Sequence, residues 1–160
     1  MGVTILKRGA LSEGGWVTIP GRPVGKGRPR LARSGHVITP TKTRKWEQMA
    51  RAILRIGWVG PPMPKGTPAR VQIEQVEPRP KRFKGPEHEH PCPSGGQHPD
   101  VDNVVKITMD SLNGVAWLDD HQACHLEAVK VWCKSGQPAC VRVRVTEMEP
   151  DEQLSLWGVR

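Results

Sequence analysis

The segment HPDVDNVVKITMDSLNGVAWLDD, from His98 to Asp120, concentrates the groups best suited to chemistry. Asp100 falls where a helix N-cap is expected and Asp102 lies in the first turn, so two carboxylates gather at the positive end of a helix dipole. Lys106 is one helical turn beyond Asp102 and shares its face. Asp119 and Asp120 follow the turn after the helix, where the chain can fold back towards its start. Paired acids at a helix start, joined by another from a nearby loop, suit a hard cation. Mg²⁺ or Mn²⁺ takes oxygen ligands and keeps waters for reaction. Such an ion activates water and stabilises charge on a phosphoryl oxygen, and Lys106 could orient the attacking water or neutralise the transition state. The same residues also spell a capped helix with an Asp102 to Lys106 salt bridge, and composition alone leaves both readings open.

The elements that must position these residues follow from hydrophobic period. Val101, Val104, Val105, Thr108, Met109 and Leu112 share one side of a helix over 101–112, which Asn113 and Gly114 end. An earlier helix over 41–56, capped by Thr41, carries Trp46, Met49, Ala50, Ile53 and Leu54 as an apolar stripe. Strands are expected at 16–20, 69–77, 124–132 and 139–146, the last alternating Val141, Val143 and Val145 with Arg142, Arg144 and Thr146. SGQP at 135–138 predicts that the last two strands form a hairpin. The expected fold is α+β: a small mixed sheet of about four to five strands with two helices packed mainly on one face.

A chain of 160 residues fits one domain. Residues 1–15 are expected to be a flexible lead-in, 16–147 the folded domain, and 148–160 an acidic linker and tail. Net charge is +8, from 24 Lys and Arg against 16 Asp and Glu, which favours a polyanionic partner. The cations cluster. Lys26, Arg28 and Arg30 lie in an acid-free stretch beginning at Gly21, and Arg79, Lys81, Arg82 and Lys84 open a long loop, PRPKRFKGPEHEHPCPSGGQHP, over 78–99. Both segments are expected to contact DNA phosphates. Within the loop Phe83 is a candidate stacking residue. Trp46 and Trp132 are expected in the core, and Trp117 against the acidic turn.

No stretch reaches the ~20 apolar residues of a membrane span, and no secretory leader is legible, so a cytoplasmic location is expected. Cys92, Cys124, Cys133 and Cys140 contain no C-x-x-C pair and are expected to be reduced thiols. His88, His90, Cys92 and His98 could bind zinc, but the spacing in HEHPC departs from structural-zinc patterns and a DNA-facing loop is preferred.

The run PDVDNVVKITMDSLNGVAWLDD resembles the signature of the RusA family of Holliday-junction resolvases, in which D-x-D-N-x-x-K opens a helix and leads through D-x-L-N-G to a terminal Asp pair. Upstream, PVGKGRPRLARSGHVITPTKTRKWE resembles the family's basic N-terminal pattern, so similarity extends over roughly residues 16–146. The resemblance implies that Asp100, Asp102 and Asp120 hold a metal, Mg²⁺ or alternatively Mn²⁺, and that Lys106 is the catalytic lysine. Asn103 and Asp110 fall at family-typical supporting positions, and Asp119 is the weaker member of its pair. It further implies a bacterial or phage homodimer that cuts symmetric strands of branched DNA during recombination and repair. The alternative is a non-catalytic junction-binding or clamp-associated DNA protein that keeps the acids for structure.

Near the end of the chain, Gln153, Leu154, Ser155, Leu156 and Trp157 follow the acids Glu147, Glu149, Asp151 and Glu152. They resemble the bacterial sliding-clamp-binding pentapeptide, with Trp as the terminal aromatic. Two leucines and an aromatic on a short segment can dock in an apolar pocket outside the fold, or can pack on their own domain.

Overall fold

The computed structural model describes residues 15–28, 30–31, 35–81 and 98–149. Strand β1 (Trp16–Pro20) leads into a two-stranded ribbon of β2 (Arg30–Leu31) and β3 (Val37–Ile38). Helix α1 (Thr41–Gly57), strand β4 (Ala69–Glu77) and helix α2 (Val101–Leu112) follow. A single 3-10 turn over Asp120–Gln122 then enters β5 (Ala123–Trp132), and β6 (Cys140–Glu147) closes the domain. Helix α1 starts after Pro40, with Thr41 as its first helical residue and no side-chain cap, so Thr41 does not cap it as expected. Proline preorganises the entry, and the orphan N–H groups there are left to other partners.

Strand order is β1-β6-β4-β5: β4 runs parallel to β5 and antiparallel to β6, and β6 runs antiparallel to β1. The sheet is therefore mixed, but β5 and β6 are not a hairpin. β4 lies between them. A parallel neighbour requires a crossover, and α2 supplies it between β4 and β5. The remaining edge of β4 then takes β6. Side chains explain the order: Val141, Val143 and Val145 are all buried in β6, as a strand flanked on both sides requires. β5 carries His125, Glu127 and Lys130, the kind of charge that protects a sheet edge.

One face of the sheet presents Val71, Ile73, Val141, Val143 and Val145 to α1 and α2, and forms the main core with Trp46, Leu54, Val104, Ile107 and Trp117. Thr108 and Ser111 are buried within α2 because each hydroxyl donates to the carbonyl one turn back, Val104 O at 2.8 Å and Ile107 O at 2.7 Å. A smaller cluster of Val76, Cys133 and Cys140 packs near the other end of the sheet. Burial raises both thiols above their ordinary range, and Cys124, Cys133 and Cys140 are unpaired among the described residues. Trp132 is only partly buried and meets the ring of His98 edge-on at 4.9 Å, so it is not the full core residue expected. No helix among the described residues is long and apolar enough to cross a membrane.

Candidate active site

Asp100 is the N-cap residue of α2. Its carbonyl accepts from Asn103 N at 3.1 Å and Val104 N at 3.2 Å, but its carboxylate makes no capping bond. A side chain retained for helix stability would spend its oxygens on those N–H groups. Asp102 lies in the first turn and is 61% exposed, bonded to Lys106 Nζ at 3.2 Å along the same helix face. In water-exposed surroundings such a pair contributes at most about 1 kcal/mol, so stability gives little reason for its presence.

The second acidic group sits on the 3-10 turn. Gln122 is buried there, donating to Pro64 O at 2.8 Å and Thr67 O at 3.2 Å while its carbonyl oxygen accepts from Leu118 N. One amide thus fastens the turn to the loop before β4. From below, fully buried Trp117 donates its indole N–H to Asn113 Oδ1 at 2.8 Å, and Gly114 N donates to Trp117 O. Gly114, not Asn113, adopts the left-handed backbone that stops α2. The turn holding Asp119 and Asp120 is therefore fixed at its base and exposed at its tip.

At that tip Asp119 accepts from both the backbone and the ring of His121. These bonds pull the Asp119 carboxyl down to about 2 and raise His121 above its ordinary value, with the charge of Asp120 adding to the second effect. Asp119 is thus occupied by its own loop, while Asp120 Oδ1 lies 3.7 Å from the ring. Nothing in the sequence beyond its place after the pair marks His121. Titrating His121 by NMR should give a midpoint above 6.5 that falls towards 6.5 in Asp119→Asn; an unchanged midpoint would remove the pairing.

The structure brings Asp119, Asp120 and His121 together, with potential ligand atoms within 4.8 Å of one another, and Asp100 and Asp102 stand outside that group. The 3-10 turn nevertheless packs against α2. Asp100, Asp102 and Lys106 form one patch at the helix start, and Asp120 forms another on the turn that abuts the helix.

Beside Asp100 opens a cleft of about 820 Å³, whose walls include Arg22, Lys26, Arg28 and Lys42 together with Asp100 and Asn103. Two close approaches shape it. A Cβ on Gly25 would stand 3.1 Å from Asn103 Cβ and Pro99 Cβ, and one on Gly27 would stand 2.9 Å from Pro40 Cγ and Thr43 Oγ1. Gly27 N donates to Thr43 Oγ1 at 3.1 Å and Lys26 N donates to Asn103 O at 2.9 Å, so the basic segment straps both helix starts. The Lys26 ammonium pairs with Asp110, whose carbonyl also accepts from Arg51. Asn103 thus links the strap to Asp100 through its backbone, and Asp110 holds the strap through the Lys26 ammonium.

Lys42 and Arg22 belong to this surface alongside Arg28, although the period of α1 marks Lys42 only as a polar-face residue. Arg79 and Lys81 lie just beyond the end of β4. The side chain of Arg30, together with Arg82, Phe83, Lys84, His88, His90, Cys92 and the tail from Gln153 to Trp157, lies outside the described residues. His98, the remaining zinc candidate, is half-buried with Nδ1 3.0 Å from Glu77 Oε2.

Residues 20–146 match the model of the family described as Endodeoxyribonuclease RusA. The chain belongs to the RusA family. It is also similar to a Bacillus subtilis (strain 168) protein named "Uncharacterized protein YqaN", 29% identical over an alignment of 139 residues, with 82% of this chain and 94% of the relative covered. The RusA match runs from the end of β1 to β6 and includes the basic strap, Asp100, Asp102, Lys106 and Asp120. Family membership supports an endonuclease that resolves Holliday junctions, and does not favour a purely structural role for the acids.

Proposed function

We propose that this protein resolves four-way DNA junctions by metal-dependent hydrolysis of phosphodiester bonds, with Asp100, Asp102 and Asp120 as the metal-holding residues and Lys106 as the catalytic lysine. The observation that carries the reading is the uncapped Asp100 carboxylate, on a residue that lines the basic cleft and at the helix start that also carries Asp102 and Lys106. The donor set fits Mg²⁺, or Mn²⁺, because every proposed ligand is a hard carboxylate oxygen on an exposed or partly exposed surface. When bound, the ion supplies an activated water and neutralises charge on the phosphoryl oxygen. Lys106 leaves its exposed pairing with Asp102 at little cost and is then free to meet the phosphate. Asp119, held by His121, orients the turn and leaves Asp120 facing out.

The cleft holds the DNA backbone through Arg22, Arg28 and Lys42, with Lys26 shaping it from its pairing with Asp110. Arg30, Arg79, Lys81, Arg82 and Lys84 are proposed to extend that surface. Replacing Arg28 and Lys42 together by Gln should lower the salt slope of junction binding by about 2, because each neutralised phosphate contributes about 0.9 to that slope. An unchanged slope would place the DNA elsewhere.

A second copy of the chain completes the enzyme in this reading, because a four-way junction is two-fold symmetric and two equivalent strands must be cut. Mg²⁺-dependent nicking of a synthetic junction at symmetric positions, without nicking of a linear duplex of equal length, tests the activity. Equal cutting of both substrates would reduce the reading to a general nuclease.

The tail from Gln153 to Trp157 is proposed to bind the bacterial sliding clamp by inserting its leucines and Trp into an apolar pocket. Deleting residues 153–160 should abolish clamp binding in a pull-down and leave junction cleavage intact. Clamp binding that survives the deletion sinks the idea.

A further inference from the structure

The last residue before Asp100 is held by a buried polar network that hydrolysis does not by itself call for. Gln75 and Glu77, on the β4 face that otherwise carries Val71 and Ile73, are both 0% exposed. Gln75 Nε2 donates to Glu77 Oε1 at 2.7 Å and to Pro99 O at 2.9 Å. Glu77 Oε2 in turn lies 3.0 Å from His98 Nδ1. From the neighbouring strand Lys130 Nζ donates to the same Pro99 carbonyl at 3.3 Å.

Stability is a poor explanation for this arrangement. A buried carboxylate carries a desolvation cost. Gln75 Oε1 is also buried with no hydrogen-bond partner among the described residues, a penalty that a leucine of similar size would avoid. What the network does control is a single carbonyl. The Pro99 carbonyl carbon is bonded to Asp100 N, the peptide between them is planar, and proline restricts its own φ and the backbone of His98. Fixing that carbonyl plane aims the first atoms of Asp100.

We propose that Gln75, Glu77, His98 and Lys130 are positioning residues that aim the Asp100 carboxylate at the metal. This rests on the reading of Asp100 as a metal ligand. Outer-shell partners of this kind orient ligands, and losing one typically lowers metal affinity about 10- to 100-fold. No member need touch the substrate.

The test is Mn²⁺ binding to the full-length protein, followed by electron paramagnetic resonance, beside junction binding without metal and thermal melting. Lys130→Met removes a donor from a partly exposed site on an edge strand, where folding is least at risk. His98→Leu removes the bond to Glu77, whereas His98→Asn places an amide nitrogen where Nδ1 stood. Lys130→Met and His98→Leu should each raise the Mn²⁺ dissociation constant about tenfold or more. His98→Asn should restore it, and metal-free junction binding of Lys130→Met should stay at the wild-type level. Wild-type protein whose Mn²⁺ binding is absent, or survives Asp100→Asn, overturns the ligand reading and this proposal with it. Binding that is lost in Asp100→Asn but unaltered in Lys130→Met and His98→Leu overturns the positioning alone. So does a loss that tracks melting temperature and is not restored by His98→Asn.

Discussion

Asp102→Asn protein is expected to bind a four-way junction as tightly as wild type and to cut it on the order of 10³-fold more slowly, a loss of about 4 kcal/mol of transition-state stabilisation. Asp102 is 61% exposed and its described partner is Lys106, itself 62% exposed, so the substitution leaves the packing of α2 untouched. Asparagine keeps the size and one oxygen but removes the charge. A hard cation at a phosphate is held chiefly by charge, which is why so small a change has so large an effect. Junction affinity should hold steady or rise slightly, because a negative group near the phosphates is gone. Stability should change by less than about 1 kcal/mol, the upper value of an exposed pair. Single-turnover cleavage, gel-shift binding and thermal melting together decide the matter. Cleavage within tenfold of wild type would remove Asp102 from the site.

Trp117→Ala should be strongly destabilising, at about 3–5 kcal/mol. Trp117 is 0% exposed, packs in the main core and pairs its backbone with both Met63 and Asn113. Against a total stability of about 5–15 kcal/mol this is a large fraction. At about 2–4 °C per kcal/mol the melting temperature should fall by about 6–20 °C. Trp117→Phe retains much of the volume but loses the indole bond to Asn113, and should cost about 1–2 kcal/mol. The ratio of the two losses separates packing from hydrogen bonding. Because Trp117 lies under the turn that carries Asp120, the alanine variant should also cleave more slowly than wild type at a temperature where both are fully folded. A melting temperature unchanged in Trp117→Ala would contradict the packing.

Much of the secondary structure was legible because its signals are local. α2 over Val101–Leu112 and β4 over Ala69–Glu77 have the ends that period and breakers indicate, and β6 begins one residue later than expected. The acid residues were legible too, as ordered spacings within one segment. The hairpin expected between β5 and β6 failed for a physical reason. SGQP permits a reversal, but which strand lies beside which depends on burial across the sheet, and β4 pairs with both β5 and β6 and so separates them. Lys26 looks like a phosphate ligand from its basic neighbours, while its pairing with Asp110 spans 84 residues of sequence and no local pattern announces it.

By itself, the sequence determined the chemistry available at Asp100, Asp102, Lys106 and Asp120, the helix that carries the first three, and the family to which the chain belongs. Only the tertiary structure decided that β4 lies between β5 and β6, that Lys26 pairs with Asp110, and that Gln75 and Glu77 reach across to the segment before Asp100. The difference is one of range. Helix and strand periods are written in neighbouring residues, whereas a buried donor finds its acceptor only after distant strands are packed, when solvent can no longer satisfy it.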